Sequence, residues 1–210
     1  MFEFAVGHQL MMRDLHERGI KNTRVLKALD AVPRHRFVPE ALRAHSYNLR
    51  PLPIGWGQTI STPFIVASMS SLLQLKGTER VLEIGTGCGY QTAVLCELSA
   101  EVFSIEIVDS VAAFGRENLT ALGYTPHLRV GDGTVGWPSA APFDVALIAA
   151  TAPTVPIEIV QQLKVGGVLV APLEQSGREV LVRITRTKKD YVVEELYDVR
   201  FVPMTGSIRS

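Results

Sequence analysis

A chain of 210 residues in which Lys plus Arg and Asp plus Glu each number 21 carries no formal net charge. That balance withdraws electrostatic support from nucleic-acid or membrane-surface binding. The length and a 47% hydrophobic content suit one domain spanning residues 1–210, burying roughly 70% of its unfolded surface. Cys88 and Cys96 fall in one expected helical segment, too far apart along it to pair, a usage that fits a reducing cytoplasm. Met1–Ala5 lacks the basic lead and continuous apolar stretch of a secretory leader, and no uncharged apolar run reaches the length of a membrane span. A cytoplasmic monomer is the expectation.

Residues 4–45 read as helical. Leu10, Met11 and Leu15, then Val25, Leu26 and Leu29, recur at helical spacing, with Gly19 closing the first helix and Asn22 or Thr23 capping the second. The run Val32-Pro-Arg-His-Arg-Phe-Val-Pro39 breaks that period and begins a surface-crossing segment in which His35 reads as a solvated loop histidine. Residues 46–60 are rich in Pro and Gly. They are expected to form a loop, stiffened by its prolines and allowed close backbone approach at Gly55 and Gly57, that could lie over a site as a lid. Ser61-Thr62-Pro63 starts a helix, because Ser or Thr caps and Pro suits the first turn, and this helix runs to about Leu75. Residues 1–60 thus divide into added helices and a loop, and residues 61–210 form the core.

In the stretch Arg80–Tyr90, Val81, Leu82 and Ile84 are apolar as in a strand buried on both faces. Gly85, Gly87 and Gly89 then turn the chain into a helix over Tyr90–Leu98. A glycine turn between a strand and a helix N-terminus is where nucleotide-like ligands bind in open α/β sheets. A dinucleotide fingerprint starting at Gly85 requires glycine at position 90; Tyr stands there, which argues against NAD or FAD. Glu83 inside the strand end is a poor neighbour for phosphate and a good one for a cationic ligand. The pattern Leu82-Glu-Ile-Gly-Thr86-Gly-Cys-Gly89 resembles motif I of the S-adenosylmethionine-dependent methyltransferases, whose cofactor carries an ammonium, a sulfonium and a ribose but no phosphate.

The segments that follow alternate. Strands are expected over Val102–Ile105, His127–Val130, Val145–Ala149 and Val168–Ala171, the last after a Gly166-Gly167 turn. Helices are expected over Ser110–Leu122 and Pro156–Leu163. Val180–Ile184 and Tyr191–Leu196 then read as an antiparallel hairpin. The implied fold is α/β and Rossmann-like: a mainly parallel sheet with Val81–Ile84 inside it, helices on both faces, an antiparallel C-terminal hairpin strand, and added N-terminal helices. Glu106 ends the second strand, where an acid accepts ribose hydroxyls or is simply solvated. Asp132, in Gly131-Asp-Gly133, is placed to accept from an adenine amino group or to shape a turn. No His/Asp or Cys/His constellation and no metal-ligand set stands out.

Across its length the chain resembles the protein-L-isoaspartate O-methyltransferases. The match runs through Arg18-Gly19-Ile20, Val32-Pro33-Arg34 and Phe37-Val38-Pro39, and most specifically through Leu52-Pro-Ile-Gly55-x-Gly57-Gln-Thr-Ile-Ser61. It continues at Ala152-Pro153, Gln162-Leu-Lys-x-Gly-Gly167 and Arg200-Phe-Val-Pro203. The resemblance implies methylation of isoaspartyl carboxyls in peptides and proteins, with Ser61 as the active-site serine. It also implies S-adenosylmethionine held by Glu83, Gly85, Thr86, Gly87, Gly89, Glu106, Asp132 and Gly133. The chain departs from the family pattern at Asn48-Leu49, where an acid is usual, and at Pro172-Leu173-Glu174, where Pro-Val-Gly is usual. Another carboxyl methyltransferase, or a cofactor-binding protein without turnover, are the competing readings.

Overall fold

Residues 4–209 are described by a computed structural model; Met1–Glu3, on which the reading against a leader largely rests, lie outside them. The chain opens with helices α1 (Ala5–Glu17) and α2 (Thr23–Ala31), and Asn22 caps the second by accepting from the Arg24 and Val25 amides at 3.1 and 3.2 Å. Short 3-10 turns follow at Arg34–Phe37 and Glu40–His45. The 32–39 segment does not cross the surface: Val32, Arg34, Phe37 and Val38 are buried. His35 is half-buried rather than solvated, stacked on Phe4 and hydrogen-bonded through Nδ1 to the Tyr47 hydroxyl at 2.8 Å.

The expected 46–60 loop contains an antiparallel hairpin, β1 (Leu52–Gly55) and β2 (Gln58–Ile60). Leu52, Ile54 and Ile60 turn inward, and the tip residues Gly55, Trp56 and Gly57 all hold positive φ. Helix α3 (Pro63–Leu72) is capped by Thr62, not Ser61: Thr62 Oγ1 accepts from the Ile65 amide at 3.2 Å. Strand β3 (Arg80–Ile84), helix α4 (Tyr90–Leu98), strand β4 (Glu101–Glu106), helix α5 (Asp109–Ala121), strand β5 (His127–Val130) and strand β6 (Phe143–Ile148) follow in order.

Helix α6 spans only Ile157–Gln161, because the strand after it starts early. That strand, β7 (Leu163–Gln175), takes in the expected Gly166-Gly167 turn as a bulge: the register against β6 slips between Phe143 and Val145, and Gly167 sits where a side chain would meet the Asp144 carbonyl. Strands β8 (Arg178–Arg186) and β9 (Tyr191–Asp198) complete the sheet.

The sheet order is β5-β4-β3-β6-β7-β8-β9, parallel through β7 and antiparallel for the last two. β3 lies in the interior, between β4 and β6, as its apolar run requires. Its alternation sends Val81 to a core packed by α1–α5 and sends Leu82 and Ile84 to a second core under α6, Trp137 and Met204. Among the described residues, α-helices therefore cover both faces unequally, α1–α5 on one and the five-residue α6 on the other. Among the described residues no helix is long and apolar enough to cross a membrane.

Because Thr62 carries the cap, Thr62→Ala is expected to lower unfolding free energy by about 1 kcal/mol. Ser61→Ala is expected to change it by less than about 0.5 kcal/mol. Urea denaturation of the two variants side by side checks this.

Candidate active site

The order of strands reverses between β3 and β6: the chain runs outward through β4 and β5, then returns to the other side of β3. A crevice must open beyond the carboxyl ends of two such strands, and the structure has one there, open to solvent on one side. A crevice at a topological switch point is where small-molecule ligands sit in open α/β sheets. Ile84 to Cys88, Ile105 to Ile107, Gly133, and Ala149 with Ala150 form its sheet wall. Gln58 to Ser61 of the hairpin, Tyr90 and Gln91 of α4, and Val202 to Thr205 of the C-terminal segment close it.

The glycine turn is fixed by what it packs against. Gly89 precedes α4 in the left-handed region, φ 89°, and a Cβ there would lie 2.8 Å from the Leu119 side chain of α5. Any other residue would separate the two helices. Glu106, only 7% exposed, ties the turn to the end of β4. Its Oε2 accepts from the Gly87 amide at 2.9 Å, and its Oε1 accepts from the Ile107 and Val108 amides at 3.0 and 3.1 Å. The carboxylate is thus held against the crevice by three backbone donors, with acceptor capacity left for a ligand hydroxyl.

Of the residues expected at the ligand, Ser61, Gly85, Thr86, Gly87, Glu106 and Gly133 line the crevice together. Glu83, Gly89 and Asp132 do not. Glu83 shares the helical face of β3 with Val81 and is fully buried. Its Oε2 accepts from Thr92 Oγ1 at 2.5 Å and from Ser104 Oγ at 2.6 Å, while Oε1 is buried without a partner. Strand alternation, which points position 83 away from the crevice mouth, is the reason. Glu83 reaches the crevice only indirectly, since Ser104 Oγ also bonds Thr86 Oγ1 at 2.6 Å. Asp132 is turned toward the C-terminal segment instead: Oδ1 accepts from the Thr134 amide and hydroxyl at 2.9 and 2.7 Å, and Oδ2 from the Ser207 amide at 2.8 Å.

Sequence reasoning missed Arg34. Its side chain is completely buried, with no ion pair among the described residues. Nε donates to the Ser46 carbonyl at 2.7 Å and Nη2 to the Ser61 carbonyl at 2.6 Å, and the guanidinium lies 4.8 Å from the centre of the Tyr90 ring. One planar cation therefore clamps the loop after the 3-10 turns, the hairpin end that bears Ser61, and an aromatic wall of the crevice. An arginine in a proline-rich run carries no sequence signal of burial. The hairpin tip is anchored separately, with the Trp56 and Phe114 rings 6.1 Å apart.

The donor set decides what fits. Glu106 is the one charged residue on the crevice wall among the described residues, and no Lys, Arg or His lines it. Such a wall offers no cationic side chain to a phosphate, whereas a buried carboxylate at the end of β4 beside an apolar floor matches a ribose and a cationic group. Among the described residues no group of three or more His, Cys, Asp and Glu is placed to hold a metal ion.

An interior parallel strand, a glycine turn at the switch point and an acid ending the next strand define the class of Rossmann-like, S-adenosylmethionine-dependent methyltransferases. The family model for protein-L-isoaspartate(D-aspartate) O-methyltransferase matches residues 6–209, and the chain belongs to that family. It is 53% identical over 192 residues to protein-L-isoaspartate O-methyltransferase 2 of Marinobacter nauticus, covering 90% of this chain and 88% of the relative. It is 49% identical over 196 residues to the protein-L-isoaspartate O-methyltransferase of Syntrophus aciditrophicus, covering 91% and 90%. A crystal structure from Plasmodium falciparum, described as a protein-L-isoaspartate O-methyltransferase in complex with S-adenosyl-L-homocysteine, superposes with a TM-score of 0.82. It is 25% identical and covers 94% of this chain and 98% of its own. A further solved protein-L-isoaspartate O-methyltransferase gives a TM-score of 0.86 at 25% identity, over 96% of this chain and 67% of its own.

Burial raises the Glu83 carboxyl pKa to about 7, against the opposing pull of the Ser104 and Thr92 hydroxyls. The folded state then holds this proton more tightly than the unfolded state, where the pKa is near 4.5. Stability from this group is therefore full below about pH 4.5 and declines as pH rises through 7. Glu83→Gln keeps an acceptor for both hydroxyls and removes the titration. Denaturant midpoints measured at pH 5 and pH 8 are expected to fall for the parent chain, by an amount on the order of 3 kcal/mol at most, and to stay closer together for Glu83→Gln.

Proposed function

We infer that this chain transfers a methyl group from S-adenosylmethionine to the free carboxyl of L-isoaspartyl residues in damaged proteins, and that it works as a cytoplasmic monomer without nucleic-acid or membrane partners. The observation that carries the activity is the family match across residues 6–209, which includes both the crevice and the hairpin that covers it. Ser61 is read as the catalytic serine. Gly85, Thr86, Gly87, Glu106 and Gly133 are read as the cofactor wall, with Gly89 shaping the turn and Glu83 supporting it from beneath. The two cysteines, unpaired and one of them buried, support a reducing compartment.

The cofactor, when bound, supplies an electrophilic methyl on a sulfonium. Everything else falls to the chain. The nucleophile is a carboxylate with an ordinary pKa of about 4, ionised at neutral pH, so the protein needs no general base. Its work is to hold the acceptor in line and keep water out, and positioning of that kind is worth up to about 7–11 kcal/mol. Ser61 lines the crevice while its carbonyl is gripped by Arg34, so its hydroxyl sits on a fixed backbone, suited to hydrogen-bonding one carboxylate oxygen.

An isoaspartyl residue routes the main chain through its β-carboxyl and leaves the α-carboxylate as a short branch. Normal aspartate carries its carboxylate one methylene farther out. One methylene in a pocket is worth about 1–3 kcal/mol, but an error of about 1 Å in an in-line transfer costs roughly 100-fold. Discrimination therefore belongs mostly to the transfer rate. In the product ester the following backbone nitrogen attacks the ester carbonyl, loses its proton and expels methanol, leaving a succinimide. Water opens that ring partly to normal aspartate, which makes methylation a repair step.

Base-labile methyl incorporation from labelled S-adenosylmethionine is expected with an isoaspartyl peptide, and little with its aspartyl twin. Equal labelling of both would reassign the chain to another carboxylate. Binding of cofactor with no labelling of either would make it a binding protein. Ser61→Ala is expected to lower turnover and leave S-adenosylhomocysteine affinity within about twofold. Glu106→Ala is expected to weaken that affinity by about tenfold or more in calorimetry, since bonds to a charged acceptor are worth about 1.5–3 kcal/mol; unchanged affinity removes Glu106 from the cofactor wall.

A further inference from the structure

Two parts of the crevice wall come from separate pieces of the fold. The glycine turn leaves the seven-stranded sheet and runs into Tyr90, the first residue of α4, whose buried ring lines the crevice. Ser61 comes from the end of the β1–β2 hairpin, which forms a two-stranded sheet of its own. A transfer that must run in line depends on how far apart these two pieces are held.

Arg34 spans the gap between them. Phe37, in the same 3-10 turn, meets the Tyr90 ring edge-on with centroids 5.5 Å apart, so the turn bearing Arg34 is seated against the start of α4. From there Nη2 reaches the Ser61 carbonyl at 2.6 Å, Nε the Ser46 carbonyl at 2.7 Å, and the guanidinium lies 4.8 Å from the Tyr90 ring centre. One rigid plane therefore relates the Ser61 backbone to the residue that follows the glycine turn. A second tie exists, Gln91 Nε2 donating to Ser70 Oγ at 2.9 Å, but it acts about two turns along α3 from Ser61. Among the described residues no carboxylate pairs with Arg34, and Nη1 is buried without a hydrogen-bond partner. Burying a cation in that state is costly, and an ion pair is not what retains it. What the side chain supplies is geometry.

We propose that Arg34 is a positioning residue for methyl transfer, setting the distance between Ser61 and the glycine turn and so the rate of the transfer step, without itself touching cofactor or acceptor. This rests on the methyltransferase reading of the crevice. Arg34 is absent from the crevice wall, so its effect passes through Ser61 and Tyr90. Its charge is not the agent. The transfer makes a bond from a carboxylate oxygen to the methyl carbon and breaks the bond from that carbon to sulfur, whose positive charge is discharged by the electron pair. Both charges fade as the methyl moves, so a nearby cation favours the ionised acceptor more than the transition state and brings no acceleration.

Two variants separate plane from charge. Arg34→Lys keeps a cation and a donor but loses the planar fork, and Arg34→Met keeps bulk and loses both. Single-turnover methyl transfer to an isoaspartyl peptide is followed on the full chain at saturating S-adenosylmethionine and peptide. Calorimetric titration with S-adenosylhomocysteine gives the folded fraction and the affinity. Both variants are expected to transfer at least about tenfold more slowly per folded chain, with affinity within about threefold of the parent. A merely structural role would lower the amplitude through the folded fraction and leave the rate constant as in the parent; that result would overturn the proposal. Arg34→Lys transferring at the parent rate while Arg34→Met is slow would assign the effect to charge, and overturn it as well. Affinity falling by the same factor as the rate would make Arg34 a support of the cofactor wall instead. Should either variant fail to fold, Tyr90→Leu keeps the Arg34 cation and its bond to Ser61 but removes the ring at the other end. It is expected to slow the step likewise at saturating cofactor, and a parental rate there would sink the distance-setting role. A parent chain that binds S-adenosylhomocysteine but labels no isoaspartyl peptide refutes the substrate reading itself, whereas an active parent matched by its variants refutes the role of Arg34 alone.

Discussion

A parallel strand in the middle of a sheet, with side chains packed on both faces and partners on both edges, can meet a ligand only at its end. β3 is in that position, between β4 and β6. Beyond Ile84 the chain must leave the sheet, turn and enter α4 while α5 crowds the turn from behind. The site follows from that constraint. Glycine is needed where α5 comes closest, and the turn's amides need an acceptor. The acceptor that meets the Gly87 amide is the carboxylate at the end of the neighbouring strand. Glu106 is thus a structural acceptor in its own right, and its orientation is set by the backbone it ties together.

The hairpin side of the crevice is organised by a different device. A lone buried arginine would be costly if its donors went unmet. Arg34 meets two carbonyls and an aromatic face, with its Nη1 alone left buried without a hydrogen-bond partner, and in doing so fixes the distance between the N-terminal helices and the segment carrying Ser61. The carbonyl of Ser61 is occupied by Arg34 and the capping role by Thr62, which leaves the Ser61 hydroxyl free of duty in the fold. A side chain on a clamped backbone with no structural task is well suited to chemistry.

Which parts of this were legible in the sequence divides along the range of the interactions. β5 has the bounds expected of it, and β3 and α4 sit where their local pattern puts them. Proline and glycine hid the β1–β2 hairpin, because only Leu52, Ile54 and Ile60 mark its inner face and the tip breaks the alternation. β7 was shortened in the reading because paired glycines signal a turn, whereas here they make a bulge that lets the strand run on. Glu83 and Asp132 carried the right chemistry for a ligand, but the direction of a side chain at a strand end, and a contact with Ser207 across 75 residues, lie beyond local pattern. Arg34 stands in a segment whose sequence suggests surface, since nothing in a run of Pro, Arg and His announces burial.

Charge is otherwise spread over the surface. Among the described residues, the ionisable side chains of Asp, Glu, Lys and Arg that are buried are Arg34, Glu83 and Glu106, and all three belong to the walls of one crevice or to the layer directly behind them. Charges in a medium that screens poorly act over several ångströms, and such groups concentrate where function needs them. Glu106 puts negative charge on the sheet wall, and Arg34 puts positive charge behind the hairpin wall. A methyl donor with a cationic sulfur and an acceptor with an anionic oxygen are compatible with a site of that polarity. Burial raises the Glu83 carboxyl pKa to about 7, which disfavours further negative charge beneath the glycine turn. The crevice thus carries Glu106 as the one charged side chain on its wall among the described residues, and a nucleophile that is already ionised needs no general base.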